Sequence, residues 1–179
     1  MKFIETGIED LWEINPSIHR DHRGYFMESF HTSKFDEMGI SSSFVQDNQS
    51  FSKKGVLRGL HFQKPPFSQG KLISVLQGEV LDIVVDIRKS SATYGKYFSC
   101  VLNDKKYNML YVPEGMAHGF LALKDSLFAY KCTNFYHHQS EAGIVWNDPD
   151  LAIDWGSVKP ILSEKDAVLP TFREMMEKL

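Results

Sequence analysis

Residues 79–88 read EVLDIVVDIR. In an extended chain Leu81, Ile83, Val85 and Ile87 fall on one face, and Val80, Asp82, Val84, Asp86 and Arg88 on the other. A period of two with one apolar and one mixed face predicts a β-strand. Lys71–Gln77 (KLISVLQ), just before it, is a second β-rich run, and Gln77-Gly78-Glu79 reads as a tight turn joining the two. Working outward, short strands are expected at Ile8–Ile14, Tyr25–His31, Val56–Phe62, Tyr97–Leu102, Asn108–Val112, Gly119–Leu123, Leu127–Lys131 and Gly143–Val145. No strand–helix–strand alternation appears, which disfavours doubly wound and TIM-barrel folds. Helical signals are short and peripheral. They are Thr32–Met38, stopped by Gly39 and capped by a Thr or Ser; a start at Ser163–Asp166; and Phe172–Leu179, after Pro170. The expected class is all-β, a sandwich or barrel.

A length of 179 residues fits one domain, 1–179, with a core of its own. Hydrophobic residues make up 42% of the chain and charged residues 24%, a balance that excludes a disordered chain. Cys100 and Cys132 are too few for a disulfide framework, and neither has a local His or acid to activate it. No apolar run approaches the roughly 20 residues of a membrane span. A net charge of -3 argues against a surface that coats nucleic acid. The N-terminal MKFIETGIEDLWEI carries early acids and no signal-peptide core, so the expected location is the cytoplasm.

Polar residues cluster in a few places. Val56–Gln63 (VLRGLHFQ) sets Arg58 and His61 in an apolar frame. Three residues apart, they fall on opposite faces of a regular strand, but Gly59 between them would permit a bulge that re-aims one of them. Val112–Phe120 (VPEGMAHGF) carries P-x-G-x-x-H ending at His118, a spacing similar to the second-half signature of cupin barrels. The first-half signature needs H-x-H, and here the stretch is His61-Phe62-Gln63. His61 and His118 alone do not supply the three or four converging ligands of a metal site. Asp21–Glu28 (DHRGYFME) places Arg23 beside Tyr25 and Phe26, either a solvated loop or an anion contact beside an aromatic platform. Phe44–Ser50 (FVQDNQS) offers amides that either read a base or sugar or close an Asx-turn. Lys71 opens a strand, as a solvated charge or a site cation. Phe128, Tyr130 and Cys132 share a strand face, by default a core stripe, with the Tyr130 hydroxyl needing a partner. His137-His138 and His19 with His22 read as solvated loops. Phosphate loops, G-x-S-x-G, H-E-x-x-H and CxxC motifs are absent, which removes NTPases, Rossmann dehydrogenases, α/β-hydrolases and zincins.

In this order the clusters resemble the dTDP-4-dehydrorhamnose 3,5-epimerase family. The resemblance rests on DHRGYFMESF (21–30), FVQDNQS (44–50), GVLRGLHFQ (55–63), QGKL (69–72), GEVLDIVVDIRKSSATYGK (78–96), VPEGMAHGF (112–120), YKCTNFY (130–136), WNDPDLAIDW (146–155) and LSEKD (162–166). It implies a cupin-like jelly-roll barrel, a homodimer, and catalysis without a metal or other cofactor. It makes His61 the proton-abstracting base, Asp166 its orienting partner, Tyr130 the acid on the opposite face, and Lys71 the cation beside the developing enolate. Arg23, Arg58 and His118 match residues that hold the pyrophosphate and sugar. Glu28, Gln46, Asp47 and Asn48 match the nucleotide-binding set, and Tyr136 the aromatic that stacks on thymine. Glu141 and Lys165 match further ligand contacts.

The implied substrate, dTDP-4-dehydro-6-deoxy-D-glucose, has a C4 ketone, so its C3 and C5 protons are both acidified. Imidazole, with an ordinary pKa of about 6.5, suits their removal, and a phenol near 10 can return a proton to the other side. A lysine at the enolate oxygen acts as an oxyanion hole does. Three other readings compete: an enzyme of the family that inverts one centre or acts on another nucleotide sugar, a non-catalytic sugar-binding cupin, and a metal-dependent cupin isomerase or dioxygenase. A binding module needs no acid and base on opposite faces.

Overall fold

The computed structural model describes residues 1–40, 43–157 and 159–179. Thirteen strands run in chain order: β1 Lys2–Glu5, β2 Trp12–Asn15, β3 Ile18–Asp21, β4 Gly24–Met27, β5 Gln46–Ser52, β6 Leu57–Gln63, β7 Lys71–Gln77, β8 Glu79–Asp86, β9 Tyr97–Asn103, β10 Met109–Val112, β11 Met116–Ala122, β12 Ser126–Cys132 and β13 Glu141–Gly143. Three short helices are peripheral: α1 Thr32–Glu37, α2 Glu164–Ala167 and α3 Phe172–Met176. One sheet has the order β1-β2-β10-β7-β12-β5 and a second the order β13-β6-β11-β8-β9, while β3 and β4 form a separate hairpin. The strand ladders are antiparallel. The two large sheets face each other as a cupin-like jelly roll. No helix among the described residues is long and apolar enough to cross a membrane.

The decisive strand behaves differently from its pattern in one respect. On β8 the mixed face, Val80 and Val84, points into the core between the sheets with Ile73, Leu110, Phe120 and Phe128. The apolar face, Ile83 and Val85, packs outward against Leu57, Trp155 and Met176. The C-terminal segment covers that outer face, so β8 is buried on both sides and Asp82 lies in the interior, 0% exposed.

The joint at Gly78 is a sheet-crossing corner. It is not a hairpin, since β7 and β8 belong to opposite sheets. Gly78 has φ +90°, and a Cβ there would lie 2.2 Å from the Asp125 carbonyl oxygen, so only glycine fits.

Several sequence expectations are corrected. The strand expected from Ile8 begins only at Trp12; Ile8 and Leu11 are buried in a turn whose ends meet the Thr6 hydroxyl. α1 starts after His31 and has no side-chain cap. By contrast, Ser163 and Thr171 do cap α2 and α3 through their side chains. Gln46–Ser52 is a strand, not an Asx-turn: it pairs along its length with β12, from Cys132↔Gln46 to Ser126↔Ser52. β1 and β3 carried no signal strong enough to be expected.

Candidate active site

The site begins with a fault in β6. Opposite β11, His61 faces His118 while Arg58 faces Phe120, so three steps on one strand span two on the other. The extra residue turns Arg58 and His61 to the same side, as the glycine between them permits. Gly59 has φ +133°, and a Cβ on it would lie 2.5 Å from Gly119 Cα. The strands can approach this closely only because both residues are glycine. Both Arg58 and His61 face a cavity of about 290 Å³ between the sheets.

Asp166 reaches His61 from the far end of the chain. Ile161 pairs with Val56, its carbonyl accepting from Leu57 N and its N–H donating to the Gly55 carbonyl, which draws the C-terminal segment alongside β6. Ser163 then caps α2, its hydroxyl accepting from Asp166 N at 3.1 Å. The buried Asp166 carboxylate places Oδ1 2.6 Å from His61 Nε2 and accepts from Gly59 N at Oδ2, 3.4 Å. Burial alone would raise the Asp166 pKa. The bond and charge of His61, helped by Gly59 and Ser163, outweigh it and hold the carboxyl below its ordinary value. An ionised Asp166 accepts the Nε2 proton, which leaves His61 Nδ1 as the nitrogen able to take another.

The opposite sheet supplies the other wall. Tyr130 on β12 and Lys71 at the head of β7 both line the cavity, with Lys71 Nζ 5.9 Å from the Tyr130 ring centroid. Burial raises the Tyr130 pKa, and the nearby Cys132 and Glu141 add to this against Arg58, so the phenol keeps its proton at neutral pH. Burial also draws Lys71 below its ordinary value, opposed by Cys132, Asp82 and Glu141. His118, 7% exposed, places Nε2 3.0 and 3.1 Å from the two Asp82 oxygens. Its burial lowers its pKa despite Asp82, and Lys71 and His61 push the same way.

At the cavity mouth Lys165 pairs with Glu141, whose second oxygen accepts from the Tyr136 hydroxyl at 2.9 Å. Burial of Glu141 favours its neutral form, but Lys165 and Tyr136 overcome it and keep the carboxyl below its ordinary value. Gln46 accepts from Tyr136 N at 2.9 Å and donates to Asn48 at 3.1 Å. Arg58 donates to the Ser52 hydroxyl at 3.0 Å.

Thus His61, Asp166, Lys71, Tyr130, Arg58 and His118 converge on one cavity, and Tyr136, Glu141 and Lys165 border it. Arg23, Glu28, Gln46, Asp47 and Asn48 do not line it, although Gln46 touches Tyr136 at its border. Arg23 pairs with Asp21, Glu28 with Lys34, and Asp47 with Lys131. Asp47 and Asn48 instead line a second cavity, of about 250 Å³, along β5, β12 and β7 beneath the β3–β4 hairpin. Among the described residues no group of three or more His, Cys, Asp or Glu is placed to hold a metal ion.

The family described as dTDP-4-dehydrorhamnose 3,5-epimerase matches residues 5–174. The chain belongs to this epimerase family. The curated dTDP-4-dehydrorhamnose 3,5-epimerase of Methanothermobacter thermautotrophicus is 47% identical over 97% of this chain and 95% of its own. The crystal structure of the Elizabethkingia anophelis enzyme superposes with a TM-score of 0.94 at 46% identity, covering 97% of each chain. The Legionella pneumophila dTDP-6-deoxy-D-glucose-3,5-epimerase, in complex with dTDP-4-keto-L-rhamnose, gives 0.91 at 47% identity over 96% of this chain and 93% of that one.

Two residues of this epimerase-family site escaped the sequence reading. Asp82 was seen only as part of a mixed strand face, although a carboxylate between Val80 and Val84 on a strand buried on both sides demands a partner. Gln63 was seen only as the residue standing where a second cupin histidine would be. His137 proves to be no solvated loop residue: its ring stacks on Phe67 at 3.8 Å and its Nδ1 lies 2.9 Å from the Ser140 hydroxyl.

Proposed function

We propose that this chain, one catalytic domain over 1–179, epimerises dTDP-4-dehydro-6-deoxy-D-glucose at C3 and C5 to dTDP-4-dehydro-L-rhamnose. One observation carries the reading: an aspartate-paired imidazole on one sheet and a proton-bearing phenol on the other face the same cavity, with a half-buried lysine beside the phenol. His61 Nδ1 takes the proton at C3 or C5, and the C–H pair moves into the enolate, whose oxygen Lys71 stabilises. Tyr130 returns a proton to the opposite face, which inverts the centre, and both groups then re-equilibrate with water. Arg58, His118 and Lys71 hold the sugar diphosphate, Tyr136 stacks on the base, Glu141 and Lys165 complete the mouth, and Gln46, bonded to Asn48, supports the Tyr136 backbone. The enzyme acts in the cytoplasm.

The test is incubation with the 4-keto sugar in D2O, followed by NMR. Deuterium is expected at both C3 and C5. Label at C3 alone would make the chain a single-centre epimerase, and label at neither would overturn the assignment.

The dimer completes the ligand set. Arg23 lies in the turn, and Glu28 just past the end, of a hairpin that pairs only with itself among the described residues. It exposes Phe26 at 70%, and β5 exposes Phe51 at 56%. In a homodimer joined over this surface, the hairpin delivers Arg23 and Glu28 to the partner's cavity. Mixing His61→Ala with Arg23→Ala chains after reversible dissociation should then restore about a quarter of the sites, since half the dimers are hybrids with one intact site each. No recovery would place Arg23 in its own chain's site.

A further inference from the structure

Gln63 lies two residues beyond His61 on β6 and is 7% exposed. A primary amide offers two N–H donors and a carbonyl acceptor, and burial makes each costly to leave unpaired. All are used on backbone. Nε2 donates to the Phe67 carbonyl at 2.6 Å and to the Phe135 carbonyl at 3.1 Å, and Oε1 accepts from His137 N at 2.6 Å.

The last two contacts have a particular meaning. The Phe135 carbonyl belongs to the peptide bond before Tyr136, and the His137 N–H to the one after it. One side chain therefore holds both peptides that flank Tyr136, and Gln46 holds the Tyr136 N–H from the other side. Tyr136 itself is 51% exposed, and the bond its hydroxyl donates goes to Glu141. An exposed ring of this kind keeps its place mainly through its backbone. The third Gln63 contact ties in Phe67, whose ring stacks on His137.

We infer that Gln63 is a positioning residue that fixes the Tyr136 nucleobase platform in register with His61. Base and platform are then set by residues two apart on one strand, so the length from nucleobase to sugar carbon is fixed by β6. This rests on the reading of Tyr136 as the stacking residue.

The test compares Gln63→Glu with wild type, alone and combined with Tyr136→Ala. Glutamate keeps the size and an acceptor but removes both donors and sets a carboxylate against two carbonyls. Gln63→Glu is expected to raise KM for the dTDP sugar, and Kd for dTDP by calorimetry, about tenfold with kcat within about twofold. In the Tyr136→Ala background the same change should add less than about twofold, because both act through one contact. Gln63→Ala serves as the second variant should the glutamate protein fail to fold. A fall in kcat at unchanged KM, or effects that multiply in full, would show a general structural role and overturn the proposal. An unchanged KM in Gln63→Glu beside a raised one in Tyr136→Ala would overturn the clamp alone. A wild-type KM in Tyr136→Ala would remove the platform reading and the clamp with it.

Discussion

Replacing His61 by Ala is expected to abolish deuterium incorporation at C3 and C5 together. A positioned general base contributes about 10²–10⁴-fold, and one imidazole serves both centres, so both exchange rates should fall by about that factor. His118 cannot take over. It faces the same cavity in register with His61, but its Nε2 is committed to Asp82, and burial beside Lys71 makes it a poor proton acceptor. Because the substitution leaves the Asp166 carboxylate without its imidazole, His61→Asn is the companion variant, and circular dichroism checks that both stay folded. NMR in D2O over hours gives the reading. Exchange surviving at either carbon within tenfold of wild type would assign a second base to that centre.

Tyr130→Phe should separate two events that the wild type couples. The ring and its packing near Phe128, centroids 6.0 Å apart, are kept, so the fold is undisturbed. Removal and return of a proton on the His61 side need no phenol, so label should still enter the sugar. Inversion needs a donor on the other wall, and its rate should fall by about 10²–10³-fold. The product mixture would then hold deuterated starting sugar with little inverted sugar. Inversion at the wild-type rate would move the acid role to another group on that wall.

The sequence made some of this legible and hid the rest for physical reasons. Alternation on Glu79–Asp86 announced a strand because period two is a property of the backbone itself. It could not say which face turns inward, because the C-terminal segment that covers the apolar side is distant in sequence. Phe44–Ser50 left an Asx-turn open because Gln46, Asn48 and Ser50 are all polar, and the strand Gln46–Ser52 shows itself only through its pairing with β12. The opposing directions of Arg58 and His61 were resolved by Gly59, and that clue was readable; the matching Gly119 across the ladder was not, since only pairing brings it near. The resemblance supplied Asp166, which no local pattern could connect to His61. Arg23 and Glu28 stand away from the cavity of their own chain, paired with Asp21 and Lys34.

The Asp166 carboxylate has two oxygens with two duties: one meets the imidazole, the other meets the N–H of the bulge residue that aims it. Without this helix the imidazole would lose its carboxylate and the bulge its latch. The α2 turn therefore ties the aim of the imidazole to the docking of the C-terminal segment on β6. A single carboxylate thus makes the geometry of the base and the geometry of the strand fault one property.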